Sequence, residues 1–339
     1  MPVIDVHSHV TPPSFRQAVL AGRSWHGLDD SIGELEIPEF SISPEDRIAK
    51  MDAAGVDMHV LTVNNDFYRY ELEPGLTQEI ARACNEEIGA MMHDHPDRFT
   101  GLATVPMQNV DMAIAEMEFA MSKLDYRGVT INDHVNGVTF DDPTFYPFWE
   151  AVESLGAVVF FHQCGPTLVK ARTSRYALPN SIGNLADRAV TFGTLVFGGI
   201  MDRYPDLKIC LGHAGGYSAF GAARMDKTWR AADMGVPEFS DAKTNLVRPP
   251  SEYLSRFYYD SCTYTESTLR FLIDAVGIDR VVLGTDYPAP MVQEDPVTWL
   301  ANMPGISADE RVAITSTNPA RMLGLGAGSR FVAPPRYAD

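Results

Sequence analysis

The chain has 339 residues, of which 45% are hydrophobic and 21% are charged, a composition typical of a folded globular protein. Its 45 acidic and 27 basic residues give a formal net charge of −18, which argues against nucleic acid or an anionic membrane as a partner. No basic region precedes the first apolar run, so we expect no signal peptide. The longest apolar stretch, Ala189–Met201, is shorter than the roughly 20 residues that span a bilayer.

The four cysteines lie far apart in the sequence and form no CxxC motif. This usage is typical of reduced thiols, so we expect a cytoplasmic protein.

Strand-like and helix-like stretches alternate along the chain. Short runs of branched and apolar residues predict eight strands, at Val3–Val10, Val56–Val63, Phe99–Met107, Gly128–Asn132, Ala157–His162, Leu207–His213, Phe257–Cys262 and Arg280–Asp286. Amphipathic stretches predict eight helices, at Arg47–Ala54, Pro74–Pro96, Asp111–Lys123, Pro143–Leu155, Ala189–Tyr204, Ser218–Ala232, Glu266–Val276 and Ala308–Leu323.

Strict alternation of strands and helices implies parallel strands, so we expect an α/β protein folded as one (β/α)8 barrel. Without a convincing linker, we expect a single domain over residues 1–339, with a core at about 3–325 and a tail at 326–339. Two segments, Thr11–Ser43 after strand one and Gln163–Arg188 after strand five, are too long for ordinary loops. Both lie on the side of a barrel that hosts active sites, so we expect them to form lids or substrate walls.

The first strand carries two histidines on one face. Side chains alternate along a strand, so His7 and His9 point the same way and Ser8 points the other way. Two imidazoles with this spacing can bind one metal ion. Asp5 lies earlier in the strand, and we expect it to support the site rather than to bind the ion.

Three further candidates follow other predicted strands. His162 ends strand five, His213 ends strand six and Asp286 ends strand eight, and a turn follows each of them. Singly, such residues are more often structural. Together they place metal-ligand residue types at the end of four strands, on the face of a barrel that carries the chemistry. The sequence therefore predicts a metal site.

These residues carry a resemblance to a known family. His7-x-His9, His162, His213-Ala-Gly-Gly and Gly284-Thr-Asp286-Tyr-Pro resemble the amidohydrolase superfamily. The similarity is greatest to the branch that contains aminocarboxymuconate-semialdehyde decarboxylase and the non-oxidative hydroxyaryl-acid decarboxylases, and it runs from residue 3 to about 325. The resemblance implies a (β/α)8 barrel with one divalent ion, usually Zn²⁺ and in some members Mn²⁺, and no organic cofactor.

Residue by residue, the resemblance implies that His7, His9, His162 and Asp286 bind the metal. It implies that His213 is the acid/base histidine, a role that Asp286 could share. Arg47 matches an arginine that binds a substrate carboxylate. Arg224 matches one that reaches the site of a neighbouring subunit, so we expect a homodimer or a higher homo-oligomer.

The sequence departs from the semialdehyde decarboxylase at the pocket wall. Gln163-Cys164-Gly165 stand where that enzyme has Pro-Trp-Asp, and Ala177-Leu-Pro-Asn180 replace a Trp-Leu-Pro-Trp segment. We therefore expect Asn180 to contact the substrate, and the exact substrate stays open. The predicted activity is metal-dependent loss of CO2 from a small anionic substrate of the aminocarboxymuconate semialdehyde, hydroxybenzoate or hydroxypicolinate type.

Two alternatives remain. The same residues could activate water in a mononuclear hydrolase or hydratase acting on a lactone, an amide or an unsaturated acid. The product, CO2 or a hydrated compound, distinguishes this reading. A catalytically inactive barrel that serves as a binding protein would hold no tightly bound metal.

Overall fold

The computed structural model describes residues 1–32, 35–164 and 168–326. Its strands form two parallel sheets, one of order β1-β2-β3 and one of order β4-β5-β6-β7-β8. The strands are β1 Ile4–Val10, β2 Met58–Val63, β3 Phe99–Gly101, β4 Gly128–Ile131, β5 Val158–Phe161, β6 Lys208–Leu211, β7 Tyr258–Asp260 and β8 Val281–Val282.

Helices connect the strands and follow the last one. They are α1 Pro13–Leu20, α2 Pro44–Ala54, α3 Pro74–Asp94, α4 Val110–Leu124, α5 Tyr146–Leu155, α6 Lys170–Thr173, α7 Asn184–Phe197, α8 Ile200–Arg203, α9 Ser218–Ala231, α10 Glu266–Val276, α11 Pro296–Ala301, α12 Ala308–Val312 and α13 Asn318–Leu323. No helix in the described ranges is both long and apolar enough to cross a membrane.

Parallel bridges join the edges of the two sheets. Ala103, which follows β3, pairs with Val129 of β4. Tyr287, which follows β8, pairs with Ser8 of β1. A buried cluster draws side chains from strands of both sheets and from α13: Ile4, Val6, Val60, Leu102, Val158, Phe160, Cys210, Tyr258, Val282, Met322 and Leu323. This cluster lies beneath the residues that follow the strands, and His7 contacts its Phe160 ring with centroids 5.0 Å apart.

Local sequence signals set several helix ends. Ser43 caps α2 by accepting a hydrogen bond from the Asp46 amide, and Gly55 ends that helix at a φ of 72°. Thr265 caps α10 in the same way, through the Thr268 amide. These caps fix where each helix leaves its strand.

The predicted strands and helices need four corrections. Several strands end earlier than predicted: β3 ends at Gly101, β6 at Leu211 and β8 at Val282, so His213 and Asp286 lie beyond their strands, both with positive φ. The predicted helix Ala189–Tyr204 begins at Asn184 and is interrupted at Gly199, where φ is 77°. The predicted helix Ala308–Leu323 is divided by a π-helical turn at Ala313–Thr317. The segment Thr11–Ser43 contains the helix α1.

The segment Gln163–Arg188 contains α6, a π-helical turn at Pro179–Gly183 and the start of α7. Most of the predicted tail, residues 327–339, lies outside the described residues.

Candidate active site

Two histidines of β1 meet the carboxylate of Asp286. The Nε2 atoms of His7 and His9 each lie 3.1 Å from Asp286 Oδ1. Ser8 points to the other side, where its hydroxyl donates to the Val60 carbonyl at 3.0 Å. The predicted alternation of side chains along this strand therefore brings both imidazoles to one point.

His162, which follows β5, and His213, which follows the adjacent strand β6, complete the group. His162 Nε2 lies 3.9 Å from Asp286 Oδ1, and His213 Nε2 lies 3.5 Å from Asp286 Oδ2. The ligand atoms of His7, His162, His213 and Asp286 all lie within 4.8 Å of one another. His9 joins them through Asp286, so the structure brings all five predicted residues together.

Hydrogen bonds fix the outer nitrogen of each β1 imidazole. His7 Nδ1 lies 2.7 Å from Asp260 Oδ2, and His9 Nδ1 lies 3.0 Å from the Thr62 hydroxyl. That hydroxyl also lies 3.0 Å from the Ser8 carbonyl, to which it donates, so it accepts from His9. Both imidazoles therefore carry a proton on Nδ1 and present Nε2 to Asp286, the arrangement that metal-binding histidines adopt.

The inner faces of these imidazoles have the unpaired atoms that a cation would satisfy. His7 Nε2 and both ring nitrogens of His162 are buried and have no hydrogen bond to any described residue. Buried polar atoms are rarely left unpaired, and a cluster of imidazole nitrogens with one carboxylate oxygen suits a divalent metal. The donor set therefore fits a single divalent ion.

Burial and charge shift the pKa values of these groups in opposite directions. Burial lowers the pKa of His9, and it lowers that of His162 well below the usual value, with the neighbouring imidazoles adding to the effect. Burial also acts on His7, but the carboxylates of Asp286 and Asp260 outweigh it and raise the pKa of His7 to about 10. Burial would raise the pKa of Asp286, yet the surrounding imidazoles, His7 first, hold it well below its usual range.

Asp5 supports the site from behind. Its Oδ1 atom accepts hydrogen bonds from the His7 and Thr285 amides, both at 3.0 Å, and the Thr285 hydroxyl donates to Oδ2. Complete burial raises the pKa of Asp5 to about 6. These contacts fix β1 against the segment that carries Asp286.

The backbone departs from regular geometry where the side chains converge. His213 has a φ of 54° and Asp286 a φ of 64°, both in the left-handed region that side chains other than glycine rarely adopt. Such conformations cost about 1–3 kcal/mol each and persist where the surrounding structure holds them. Here the conformation turns each side chain toward the cluster.

Two cavities open beside the cluster. One of about 330 Å³ reaches the inner side chains and includes His9, His162 and Asp286 in its lining, with Gln163 and Asn180. We call it the metal-facing cavity. The second, of about 590 Å³, is lined mainly by apolar side chains around His213. Asn180 lines both, so the structure places this predicted substrate contact between them.

The two predicted arginines lie in different environments. Arg47 of α2 is fully buried, and its NH2 group donates to the His9 carbonyl at 2.7 Å while its guanidinium stacks 5.0 Å from the Tyr287 ring centre. It does not line the metal-facing cavity. Arg224 of α9 is exposed on the surface and lines neither of the two cavities.

Sequence reasoning missed two supporting residues. Asp260 ends β7 and accepts hydrogen bonds from the His213 and Ala214 amides, at 2.8 and 2.6 Å, besides its contact with His7. Thr62 holds His9 as described above. An acidic residue at the end of an apolar strand was the available signal for Asp260, whereas threonine in a strand carries no such signal.

Comparison with known proteins gives the class. A family model described as amidohydrolase matches residues 4–325. The chain belongs to the amidohydrolase family, and the resemblance predicted from the sequence is confirmed.

Individual relatives narrow the class to decarboxylases. A 2-amino-3-carboxymuconate-6-semialdehyde decarboxylase of Dictyostelium discoideum is 30% identical over 336 residues, covering 95% of this chain and 91% of the relative. The solved 5-carboxyvanillate decarboxylase of Sphingomonas paucimobilis is 27% identical with a TM-score of 0.81, covering 96% of this chain and 99% of that chain.

A dihydroxybenzoic acid decarboxylase from Polaromonas sp. JS666, solved with bound manganese and the inhibitor 2-nitroresorcinol, shares the fold. Its TM-score is 0.80 at 24% identity, and the match covers 96% of this chain and 98% of that chain. The prediction of a decarboxylase is confirmed by the two decarboxylases above that are 30% and 27% identical to this chain.

Proposed function

We propose that this chain is a metal-dependent, non-oxidative decarboxylase of an unsaturated or hydroxy-aromatic carboxylic acid. The observation that carries the proposal is the convergence of four imidazoles on the Asp286 carboxylate beside a cavity large enough for a small acid. The decarboxylase relatives support the same class of reaction.

The proposed ligands of one Zn²⁺ or Mn²⁺ ion are His7, His9, His162 and Asp286. When bound, such an ion would polarise the substrate carboxylate and a neighbouring oxygen and would spread the charge that develops on the substrate. His213 faces the other oxygen of Asp286, and this position leaves it available for proton transfer. A protein of the same fold has been solved with bound manganese, and we keep both ions in the proposal.

We assign the proton step to His213 and Asp286. His213 would donate a proton to the carbon that carries the carboxylate, which avoids a free carbanion. The bond from that carbon to the carboxylate would then break, CO2 would leave, and the bonding electrons would restore the unsaturated system. Asp286 Oδ2, 3.5 Å from His213 Nε2, would stabilise the protonated imidazole before the transfer, and a proton from solvent would restore it afterwards.

The arginines and Asn180 would act around this centre. From beside the His9 carbonyl, the Arg47 charge would attract the substrate carboxylate against the net negative charge of the protein. Asn180 would contact the substrate at the junction of the two cavities. Arg224 would act in the site of a second copy, so we propose a homodimer or a higher homo-oligomer.

We extend the proposal to the architecture of the chain and to its location in the cell. We propose that the two sheets close through their edge bridges into one (β/α)8 barrel, and that residues 1–339 form one domain. The four free cysteines support a cytoplasmic protein.

A product screen tests the proposal. The metal-loaded protein is incubated with aminocarboxymuconate semialdehyde, hydroxybenzoates and hydroxypicolinates, while CO2 release and ultraviolet absorbance are followed. We expect CO2 from at least one acid, and loss of that activity in His213→Asn and Asp286→Asn. Hydration or hydrolysis without CO2 would contradict the proposal and would favour the hydrolase alternative.

A further inference from the structure

We propose that Gln163 is a specificity-determining residue whose side-chain amide donates a hydrogen bond to the substrate in the metal-facing cavity. This inference rests on the proposed function and adds a group of the cavity wall that would bind the substrate directly. Gln163 directly follows His162 and lines that cavity.

The orientation of the Gln163 amide is fixed by Arg188. The Arg188 NH2 group lies 3.3 Å from Gln163 Oε1, and a guanidinium can only donate, so Oε1 is the accepting atom. Nε2 is therefore the atom left to face other groups, and it has no hydrogen bond to any described residue. Two donor hydrogens on Nε2 are available to an acceptor in the cavity.

Arg188 is itself held in place. It is fully buried, and Asp133 accepts hydrogen bonds from both Arg188 and the Thr191 hydroxyl. Asn132 fixes the backbone beside Gln163, since its side chain binds both the amide and the carbonyl of Cys164, at 2.7 and 3.0 Å. The amide is therefore oriented before any ligand binds, which lowers the entropic cost of recognition.

The metal-facing cavity has acidic side chains in its lining, so an anionic substrate needs neutral hydrogen-bond donors there. Among the described residues, no lysine or arginine lines the metal-facing cavity, whereas Glu36 and Asp66 do. Side-chain amides also contribute to the wall, at Asn64, Asn65, Gln163, Asn180 and Asn184. A carboxylate or phenolic oxygen of the substrate therefore meets amide donors there, and Gln163 is the one adjacent to a proposed metal ligand.

Ligand binding to three forms of the protein tests the inference without requiring turnover. The probes are 2,6-dihydroxybenzoate and 2-nitroresorcinol, titrated calorimetrically into manganese-loaded wild type, Gln163→Glu and Gln163→Leu. Gln163→Glu keeps an acceptor for Arg188, whose Nε and NH1 have no described partner, but it removes the donor. Gln163→Leu removes both the donor and the contact with Arg188.

We expect Gln163→Leu to weaken probe binding about 5- to 10-fold, the effect of one lost hydrogen bond. We expect Gln163→Glu to weaken it more than about 10-fold, because a carboxylate then faces the acceptor of the ligand. If Gln163→Glu binds like wild type while Gln163→Leu does not, Gln163 serves only to hold Arg188, and the inference is overturned. Equal binding by all three forms, or no binding of either probe to the wild type, also overturns it.

Metal content and thermal unfolding of each variant show whether the protein remains folded and loaded. The proposed function fails separately, when the wild type binds the probes but releases CO2 from none of the tested acids.

Discussion

His7 contacts a carboxylate through each of its ring nitrogens, Asp260 through Nδ1 and Asp286 through Nε2. The two negative charges raise the pKa of His7 to about 10, although burial alone would lower it. Without metal, the imidazole is therefore protonated at neutral pH. A divalent ion must displace that proton, because a metal-bound imidazole nitrogen is neutral.

Metal binding is accordingly expected to release one proton from His7. The pKa is raised, so the proton is bound below about pH 10, and the apparent metal affinity falls as the pH falls. The expected slope is about tenfold per pH unit between pH 7 and pH 9. Calorimetry of Zn²⁺ binding in buffers of different ionisation enthalpy gives the proton count; a count of zero at pH 8 would contradict this account of His7.

Asp260 is expected to control the metal affinity without binding the metal. It accepts hydrogen bonds from His7 and from the His213 amide, and Asp260→Asn cannot serve both donors in the same way. Loss of such a supporting contact costs about 10- to 100-fold in metal affinity. Competition with a chelator of known affinity measures the change. Asp279→Asn, at an exposed aspartate 3.5 Å from Arg321, is the control and should bind metal as the wild type does.

The proposed metal ligands were predictable from the sequence, but the residues that hold them in place were not. His7 and His9 stand out because strand alternation places them together, and His213 and Asp286 stand out as polar residues ending apolar runs. Asp260 also ends a strand, but its role depends on a partner 253 residues away in sequence. The orientation of Arg47 toward the His9 carbonyl likewise depends on packing between α2 and β1, which no local pattern encodes.

The turn after β6 shows how one element positions His213, the proposed acid/base residue. His213 and Ala214 have positive φ, and Gly216 follows with a φ of 58° and a ψ of −129°. A Cβ atom added at Gly216 would lie 2.1 Å from the Leu185 carbonyl oxygen. Glycine is therefore required here both by its conformation and by the close approach of α7.

Gly216→Ala is expected to displace this turn and with it His213. Strain and overlap together should lower the free energy of unfolding by about 2–4 kcal/mol and reduce kcat. Gly235→Ala is the matched control, since Gly235 has a φ of 71° but open space around its added Cβ. It should cost only about 1–2 kcal/mol, with kcat unchanged. Chemical denaturation and initial rates measure both; equal losses in the two variants would argue against a special role for the turn.

Strand order along the chain was predictable, while element ends were less so. Apolar runs reveal all eight strands because each is buried on both faces. The ends depend on tertiary contacts: β8 is reduced to Val281–Val282 because the chain then turns toward β1, where the Asp286 amide donates to the His7 carbonyl at 3.0 Å. The break between α7 and α8 lies at Gly199. A Cβ atom added to this glycine would lie 2.8 Å from the Asn245 side chain, so the break depends on a tertiary contact.

At the scale of the molecule, α9 presents an apolar face beside the larger cavity. Phe220 is 79% exposed and Tyr217 is 40% exposed, and both line that cavity. Arg224 lies one helical turn beyond Phe220 on the same helix. An exposed apolar surface that carries an exposed arginine is the arrangement expected if a second copy packs here.

Mixing two inactive variants tests the sharing of Arg224 between subunits. Arg224→Ala and His213→Ala chains are unfolded or dissociated together and reassembled. A mixed dimer has one site with both groups intact, so random pairing should restore roughly a quarter of the wild-type activity. A mixture of His213→Ala with Asp286→Asn is the control, because neither site is then complete. No recovery in the first mixture would argue against the sharing of Arg224 between subunits.

The parallel α/β fold was the most predictable property of the whole molecule. It depends on hydrophobic periodicity repeated through the chain, which single errors at element ends do not remove. The shapes of the two cavities could not be predicted, because they depend on the segments after β1 and β5 that lack a regular pattern. Gln163 illustrates this limit, since it follows β5 and its amide is oriented by Arg188 of α7.

One divalent ion, held by the imidazoles around Asp286, is proposed to be required for loss of CO2. The most direct test measures CO2 release and metal content together, before chelation, after chelation and after stepwise addition of Zn²⁺ or Mn²⁺. We expect activity to disappear with the metal and to return in proportion to occupancy, reaching its maximum at one ion per chain. Full CO2 release from metal-free protein would contradict it.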